Sequence, residues 1–308
     1  MKVLVTGASG YIGGSVASAL VAVDHRVVGL VRSPERAAEV QARGIEPLIG
    51  TLDDAALLAE AARDADAVIN AANAEHRGAV EAILPALAGS GKAFLQTSGS
   101  SIVADLAAGE PTEKVYDEDT PVHPLPGRKE RVALNDAVLA AATSGVRAVV
   151  ICPSLIYGTG RGVNAQSIQI PWLVALAQKH GVPKHIGRGL NIWSNVHIDD
   201  LVDLYLLALA RAPAGAFYYV ENGENSMREA CQAIGRMLGL GERTAPMTPA
   251  EAAAEWGEGA ASYTLGSNSR VRAVRARREL AWAPHRPALL EEIERGSYRG
   301  PAEQGRAS

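Results

Sequence analysis

The first fifteen residues constrain the fold of this chain more than any other stretch. Val3-Leu4-Val5 is a short apolar run of the kind that becomes a buried parallel strand, and Ser15 to Val23 is Ala- and Val-rich with a helical pattern. Gly7, Gly10 and Gly13 lie in the turn before that helix. Such a turn is a phosphate site: glycines let backbone N–H groups approach a pyrophosphate, and the helix N-terminus carries partial positive charge. The order strand, glycine turn, helix is the context that this reading requires. Ser9, Tyr11 and Ile12, interleaved with the glycines, are therefore candidate cofactor contacts.

A chain of 308 residues with mean hydropathy near zero can bury a large core. Its net charge of −4 argues against nucleic acid or an anionic membrane surface as the main partner. The sequence holds no apolar run of spanning length and opens directly on a strand. The expectation is a cytoplasmic protein without a signal peptide, acting on a small-molecule substrate. Cys152 and Cys231 lack CxxC or Cys/His spacing, so neither a disulfide framework nor a zinc site is expected. A polar tail after about Gly300 is expected to fray.

The spacing Gly7-x-x-Gly10-x-x-Gly13 resembles the TGxxGxxG pattern of the short-chain dehydrogenases/reductases, in the extended and atypical branches that include NAD(P)-dependent epimerases and dehydratases. The resemblance implies a Rossmann-type, doubly wound α/β fold. His25 to Val31 reads as the second strand and ends in Arg32-Ser33. An acid at that point binds the adenosine ribose of NAD, whereas a basic residue accommodates the 2′-phosphate of NADP. Arg32 and Ser33 thus favour NADP(H) over NAD(H); the plain alternative for Arg32 is a solvated residue at a helix start. The third strand, Glu46 to Gly50, runs into Thr51-Leu52, where the family commonly has Asp-Leu. That leaves Leu52 to pack on the adenine, and Asp53 and Asp54 read as helix caps. Ala71 and Ala72 match the small-residue exit of the fourth strand, which lies against the cofactor. The fifth strand, Ala93 to Gln96, ends in Thr97-Ser98-Gly99-Ser100-Ser101. By position, the resemblance makes Thr97 a cofactor contact and Ser98 the catalytic hydroxyl; the alternative is an ordinary serine-rich turn.

The family's proton-transfer pair is Tyr-x-x-x-Lys, one helical turn apart on one face. The lysine's charge helps the phenol exchange a proton with the substrate oxygen while hydride moves. None of the tyrosines here is followed by lysine at that spacing. The register is anchored upstream by Asp117-Glu118-Asp119-Thr120-Pro121 and downstream by Ala137 to Pro153. It puts Gly127 at the tyrosine and Arg131 at the lysine. Gly127 has no proton to give, and Arg131 can hold an oxyanion or a ribose hydroxyl but does not release its own proton. Three readings stay open. The donor is another group, with Ser98, Ser100, Tyr157, His123 and Lys129 as candidates; the protein binds NADPH without redox chemistry; or the register is shifted.

Cys152-Pro153-Ser154-Leu155-Ile156-Tyr157-Gly158 resembles the family's Arg-Pro-x-x-x-Tyr-Gly exit of strand six, with Cys152 in place of Arg. The resemblance places Pro153, Ser154, Leu155 and Ile156 at the nicotinamide end and makes Tyr157 a candidate catalytic phenol. His197, Asp199 and Asp200 have the residue types of a metal site, but their spacing reads as a strand feeding a helix with carboxylates in its first turn, so no metal is expected. Ala276 to Pro284 resembles the extended branch's C-terminal Lys-x-x-x-Leu-Gly-Trp-x-Pro signature, with Ala281 replacing the glycine. Arg270, Arg272, Arg275, Arg277 and Arg278 form a basic cluster, either a solvated helix face or a clamp for an anionic substrate group.

Residues 1–165 and 194–222 are expected to form an NADP-binding Rossmann domain on a parallel sheet of about seven strands, and 166–193 with 223–308 a smaller, mainly helical substrate lobe. The expected function is that of an NAD(P)(H)-dependent oxidoreductase or epimerase-like enzyme. It would act on a small polar carbonyl or alcohol, with Ser98 and Arg131 polarising the substrate oxygen and a nonstandard donor or water supplying the proton. The rival is a noncatalytic, redox-sensing NADP(H)-binding regulator. Helices of the C-terminal lobe also offer a surface for a possible homodimer.

Overall fold

The computed structural model describes residues 1–299; the polar tail expected after about Gly300 lies outside the described residues. The strands are β1 (Lys2–Thr6), β2 (Arg26–Val31), β3 (Glu46–Ile49), β4 (Ala67–Asn70), β5 (Ala93–Thr97), β6 (Arg147–Pro153), β7 (Leu155–Tyr157), β8 (Lys184–Ile186), β9 (Ile192–His197), β10 (Ala216–Val220), β11 (Glu224–Ser226) and β12 (Ala245–Met247). Seven of them form one parallel sheet in the order β3-β2-β1-β4-β5-β6-β10, the doubly wound arrangement whose direction of growth reverses between β1 and β4. Helices α1 (Tyr11–Ala22), α2 (Pro34–Gln41), α3 (Ala55–Asp64), α4 (Arg77–Leu87), α5 (Lys129–Ala140), α6 (Gln169–His180), α7 (Ile198–Arg211), α8 (Met227–Met237) and α9 (Pro249–Trp256) follow in chain order.

Apolar runs become central strands here because both faces of the sheet are covered. Val3 and Val5 pack into the core on one face, with α1 and α7, and Leu4 into the core on the other, with α3 and α4. Ile69 and Val68, Leu95 and Phe94, and Ile151 and Val150 divide in the same way. β3, at the edge, is half-exposed.

A further core gathers Leu155, Tyr157, Leu173, Trp193, Ile234 and Ile293 beside the strand ends. Two small sheets serve it, β11-β9-β7 and β12-β8. The boundary expected between residues 193 and 194 falls inside β9. After that core the chain returns: Ala276, Leu280 and Trp282 pack into the core under α1 and α7, and the Trp282 indole N–H donates to the Asp200 carbonyl at 2.8 Å. Ala281, in place of the family's glycine, holds φ +51°, the left-handed region that a glycine adopts without strain. Among the described residues no helix is long and apolar enough to cross a membrane.

Candidate active site

A groove of about 460 Å³ lies at the ends of β1, β2, β3 and β4, beside the point where the direction of the sheet's growth reverses. Gly7 has φ +72°, and a Cβ there would lie 2.8 Å from the Ala71 carbonyl oxygen. A Cβ on Gly13 would lie 2.4 Å from the Gly7 carbonyl oxygen, so the start of α1 can pack on β1 only without a side chain. Gly10 caps α1, and the first turn of that helix holds no acidic residue. The N–H groups of Tyr11, Ile12 and Gly13 thus begin the helix without intrahelical acceptors, the donor set that a pyrophosphate accepts from.

Gly7, Ser9 and Gly10 line one wall of this groove, Leu52, Ala71 and Ala72 another, and Arg32 stands at its end. Arg36, which sequence reading passed over, lines it as well. The available signal was a second arginine four residues after Arg32, in the first turn of α2. Ser33 is occupied otherwise: its hydroxyl caps α2 by accepting the Arg36 N–H at 3.4 Å. The Tyr11 hydroxyl is likewise committed, donating to the Gly158 carbonyl at 2.7 Å, and burial pushes its pKa up.

A buried polar chain fixes the strand ends. Thr6 Oγ1 donates to Asn70 Oδ1 at 2.5 Å, Asn70 Nδ2 to Gln96 Oε1 at 2.8 Å, and Gln96 Nε2 to the Thr97 carbonyl at 3.1 Å. The Thr97 hydroxyl then pairs with the Tyr205 hydroxyl at 2.6 Å. Pro153 closes β6 beside Val220, the Ser154 hydroxyl donates to the Val220 carbonyl at 2.8 Å, and Leu155 and Ile156 enter β7.

The catalytic candidates separate. Gly127 lies in a tight 3₁₀ turn, Pro126–Arg128, just before α5; Arg131 and Asn135 follow at four-residue spacing on that helix. Asn135 Nδ2 donates to Ser98 Oγ at 2.9 Å, which holds Ser98 in a buried position beside the Cys152 thiol. Burial pushes that thiol up to about 12, with the Ser98 contact pulling the other way. Arg131 instead donates to Ser101 Oγ at 3.1 Å and to Glu75 at 2.7 Å, and Arg128 Nε reaches the same Ser101 Oγ at 3.0 Å. Ser101, not Ser98, is the hydroxyl that the structure brings to Arg131. Tyr157 is not brought to this group: it is fully buried in the C-terminal core, donates to the Pro287 carbonyl at 2.8 Å, and burial pushes its pKa up. Ser100 is bound by the Ser269 hydroxyl at 2.8 Å, His123 lines a separate cavity with Tyr116 and Arg270, and Lys129 is exposed at the start of α5.

The remaining polar motifs are occupied by structural contacts. His197 Nδ1 caps α7 by accepting the Asp199 N–H at 3.1 Å, and Asp199 pairs with Arg161 at 2.7 Å. Asp200 stands near Asp203 and His285, but its two oxygens accept the backbone N–H groups of His285 and Arg286 at 2.9 and 3.2 Å. The basic cluster is paired throughout: Arg270 and Arg272 with Glu224, Arg275 with Asp119, Arg277 with Glu221 and Arg278 with Glu279.

A profile of the NAD-dependent epimerase/dehydratase family matches residues 3–220. The chain belongs to this family. An oxidase from Acremonium sp is 32% identical over 340 aligned positions that cover 95% of each chain. A 4-hydroxy-2-methyl-3-oxo-4-farnesyl-3,4-dihydroquinoline-1-oxide ketoreductase from Stigmatella aurantiaca is 31% identical, covering 99% of this chain and 98% of its own. Among solved structures, the UDP-glucose 4-epimerase of Thermotoga maritima superposes with a TM-score of 0.76 at 15% identity, covering 96% of both chains. The dTDP-glucose 4,6-dehydratase of Bacillus anthracis, solved in complex with NAD, superposes with a TM-score of 0.74 at 19% identity, covering 95% of both. At these identities the structures share the fold of this family member. The oxidoreductase and epimerase chemistry of the family is the class to which this chain belongs.

Proposed function

We propose that the protein is an NADPH-dependent reductase of a small polar ketone. The observation that carries the choice of cofactor is the pairing of Arg32 with Arg36 at the end of a groove that, among the described residues, no carboxylate lines. An acid at the end of β2 would select the ribose diol of NAD, and two guanidiniums favour a 2′-phosphate instead. Arg36 now pairs with Glu39 at 2.7 Å; that exposed i,i+3 contact is worth only about 0.2–0.5 kcal/mol and yields to a phosphate. The ketoreductase among the relatives supports the direction of the reaction.

In this reading the glycine turn and the start of α1 hold the pyrophosphate, Leu52 packs on the adenine, and Ala71 and Ala72 leave room for the dinucleotide backbone. Bound NADPH supplies hydride at nicotinamide C4. The chain's own residues orient the ketone: Ser101, gripped by Arg128 and Arg131, presents a hydroxyl beside two guanidiniums that share one carboxylate, Glu75, and the net positive charge left over stabilises negative charge developing on the substrate oxygen. Asn135 and Ser98 act behind this group, holding α5 to the end of β5.

Isothermal titration with NADPH and NADH tests the assignment, followed by NADPH oxidation with a panel of β-keto esters. Tight NADPH binding that falls ten- to hundredfold in Arg32→Ala, with NADH unchanged, is the expected result, since a hydrogen bond to a charged group contributes about 1.5–3 kcal/mol. Equal affinity for the two cofactors in the wild type would refute the phosphate argument.

A further inference from the structure

We propose that Tyr263 is the proton donor of this reaction, delivered from the C-terminal part of the chain to the place that Gly127 leaves open. The assignment rests on the reductase reading above and names its missing residue. A Cβ built on Gly127 would lie 2.8 Å from Tyr263 Oη and 2.9 Å from Cζ, so the phenol occupies the space that a side chain at position 127 would enter. Register alone puts the family's tyrosine at that position; here the same functional group arrives from another element.

The other seven tyrosines of the chain are unsuited to the task. Five have committed hydroxyls: Tyr11 with Gly158, Tyr157 with Pro287, Tyr205 with Thr97, Tyr218 with Glu279 and Tyr298 with Ser167. Tyr116 and Tyr219 are buried. Tyr263 is half-exposed, and its hydroxyl makes no hydrogen bond among the described residues. It projects from a π-helical turn, Ala261–Leu265, whose two ends are buried in the C-terminal core. Turns of this kind recur at functional sites.

Its neighbours supply the charge that the family takes from lysine. The Arg128 guanidinium lies 4.4 Å from the centroid of the Tyr263 ring while its Nε holds Ser101. Arg131 binds that same serine and pairs at 2.7 Å with Glu75, which also lies 4.0 Å from Arg128 and whose backbone N–H donates at 3.0 Å to Oδ1 of Asn73, a residue that lines the groove. The phenol, the two guanidiniums and the serine hydroxyl therefore converge just beyond the end of β5. The carbonyl carbon takes the hydride that NADPH supplies, and the carbon–oxygen π pair takes the Tyr263 proton, giving the alcohol, NADP⁺ and a phenolate. Arg128 faces that phenolate, and water reaching the half-exposed ring returns the proton.

The test uses NADPH, NADP⁺ and ethyl acetoacetate as probes. Tyr263→Phe should bind NADPH within about twofold of wild type, keep its melting temperature, and lose about 100-fold or more in kcat with little change in KM. Tetranitromethane should nitrate Tyr263 in the free protein, and saturating NADP⁺ should protect it, read by peptide mass and independent of turnover. Moving the phenol, in the double variant Gly127→Tyr with Tyr263→Ala, should recover at least tenfold over Tyr263→Ala alone. A Tyr263→Phe enzyme with wild-type kcat, or nitration indifferent to NADP⁺, overturns the assignment and leaves the reductase reading standing. A wild type that fails to bind NADPH or to reduce the ester overturns the reductase reading, and this assignment with it.

Discussion

At the residue scale, the groove depends on what is absent from two side chains as much as on what is present in others. A methyl on Gly13 would meet the Gly7 carbonyl oxygen at 2.4 Å and its carbon at 2.8 Å, backbone atoms that cannot swing away as a side chain could. Gly13→Ala should therefore cost about 1–3 kcal/mol of stability and weaken NADPH binding together, measured by urea denaturation and titration. Arg36 is the opposite case, a residue whose stability role is slight and whose groove position is specific. Arg36→Ala should leave the denaturation midpoint unchanged and lower NADPH affinity about tenfold, with NADH affinity unmoved; equal loss for both cofactors would place Arg36 outside the phosphate site.

At the element scale, helix ends and one ion-pair cluster carry the informative energetics. Ala281 ends the helix Val274–Leu280 at φ +51° and ψ 34°, a conformation that strains an L-residue bearing a Cβ. Ala281→Gly should stabilise the protein by about 1 kcal/mol in thermal melts, since glycine removes that strain at a modest entropic cost. Glu224, at the start of β11, lies between Arg270 and Arg272, and two hydrogen bonds from Arg270, ahead of the one from Arg272, hold its carboxyl down from 4.5 to about 2. A folded-state value below the unfolded one means that its stabilisation is complete above about pH 4.5, shrinks as the pH falls, and is gone once the carboxyl protonates near 2. Glu224→Gln should flatten the loss of stability across that window, measured by denaturation at stepped pH. The rest of the basic cluster is ion-paired in the same way, Arg275 with Asp119, Arg277 with Glu221 and Arg278 with Glu279.

At the scale of the whole molecule, a ligand that binds the folded groove and not the unfolded chain stabilises the fold by mass action. At a hundredfold excess of NADPH over its dissociation constant the gain is about 2.7 kcal/mol, and the melting temperature should rise with NADPH concentration and fall back in Arg32→Ala. Sequence alone determined the doubly wound sheet, whereas packing decided that Ala276, Leu280 and Trp282, expected in the C-terminal lobe, join the core under α1 and α7. Val3-Leu4-Val5, the three glycines and Arg32 lie within one local unit, strand, turn, helix and next strand, where spacing in the chain fixes spacing in the fold. The proposed reaction centre is different because its parts come from distant segments. Ser98 and Ser101 are equivalent candidates in a serine-rich turn, and only the docking of α5 shows that Asn135 takes the first and Arg131 the second. Tyr157 matched a family motif in sequence, yet packing buried it against the Pro287 carbonyl. Tyr263 matched no motif, and it meets Gly127 because the C-terminal core carries a π-helical turn across to the start of α5. Local hydrophobic and glycine patterns are written residue by residue along the chain, whereas the convergence of a phenol, two guanidiniums and a serine is a property of how the elements pack.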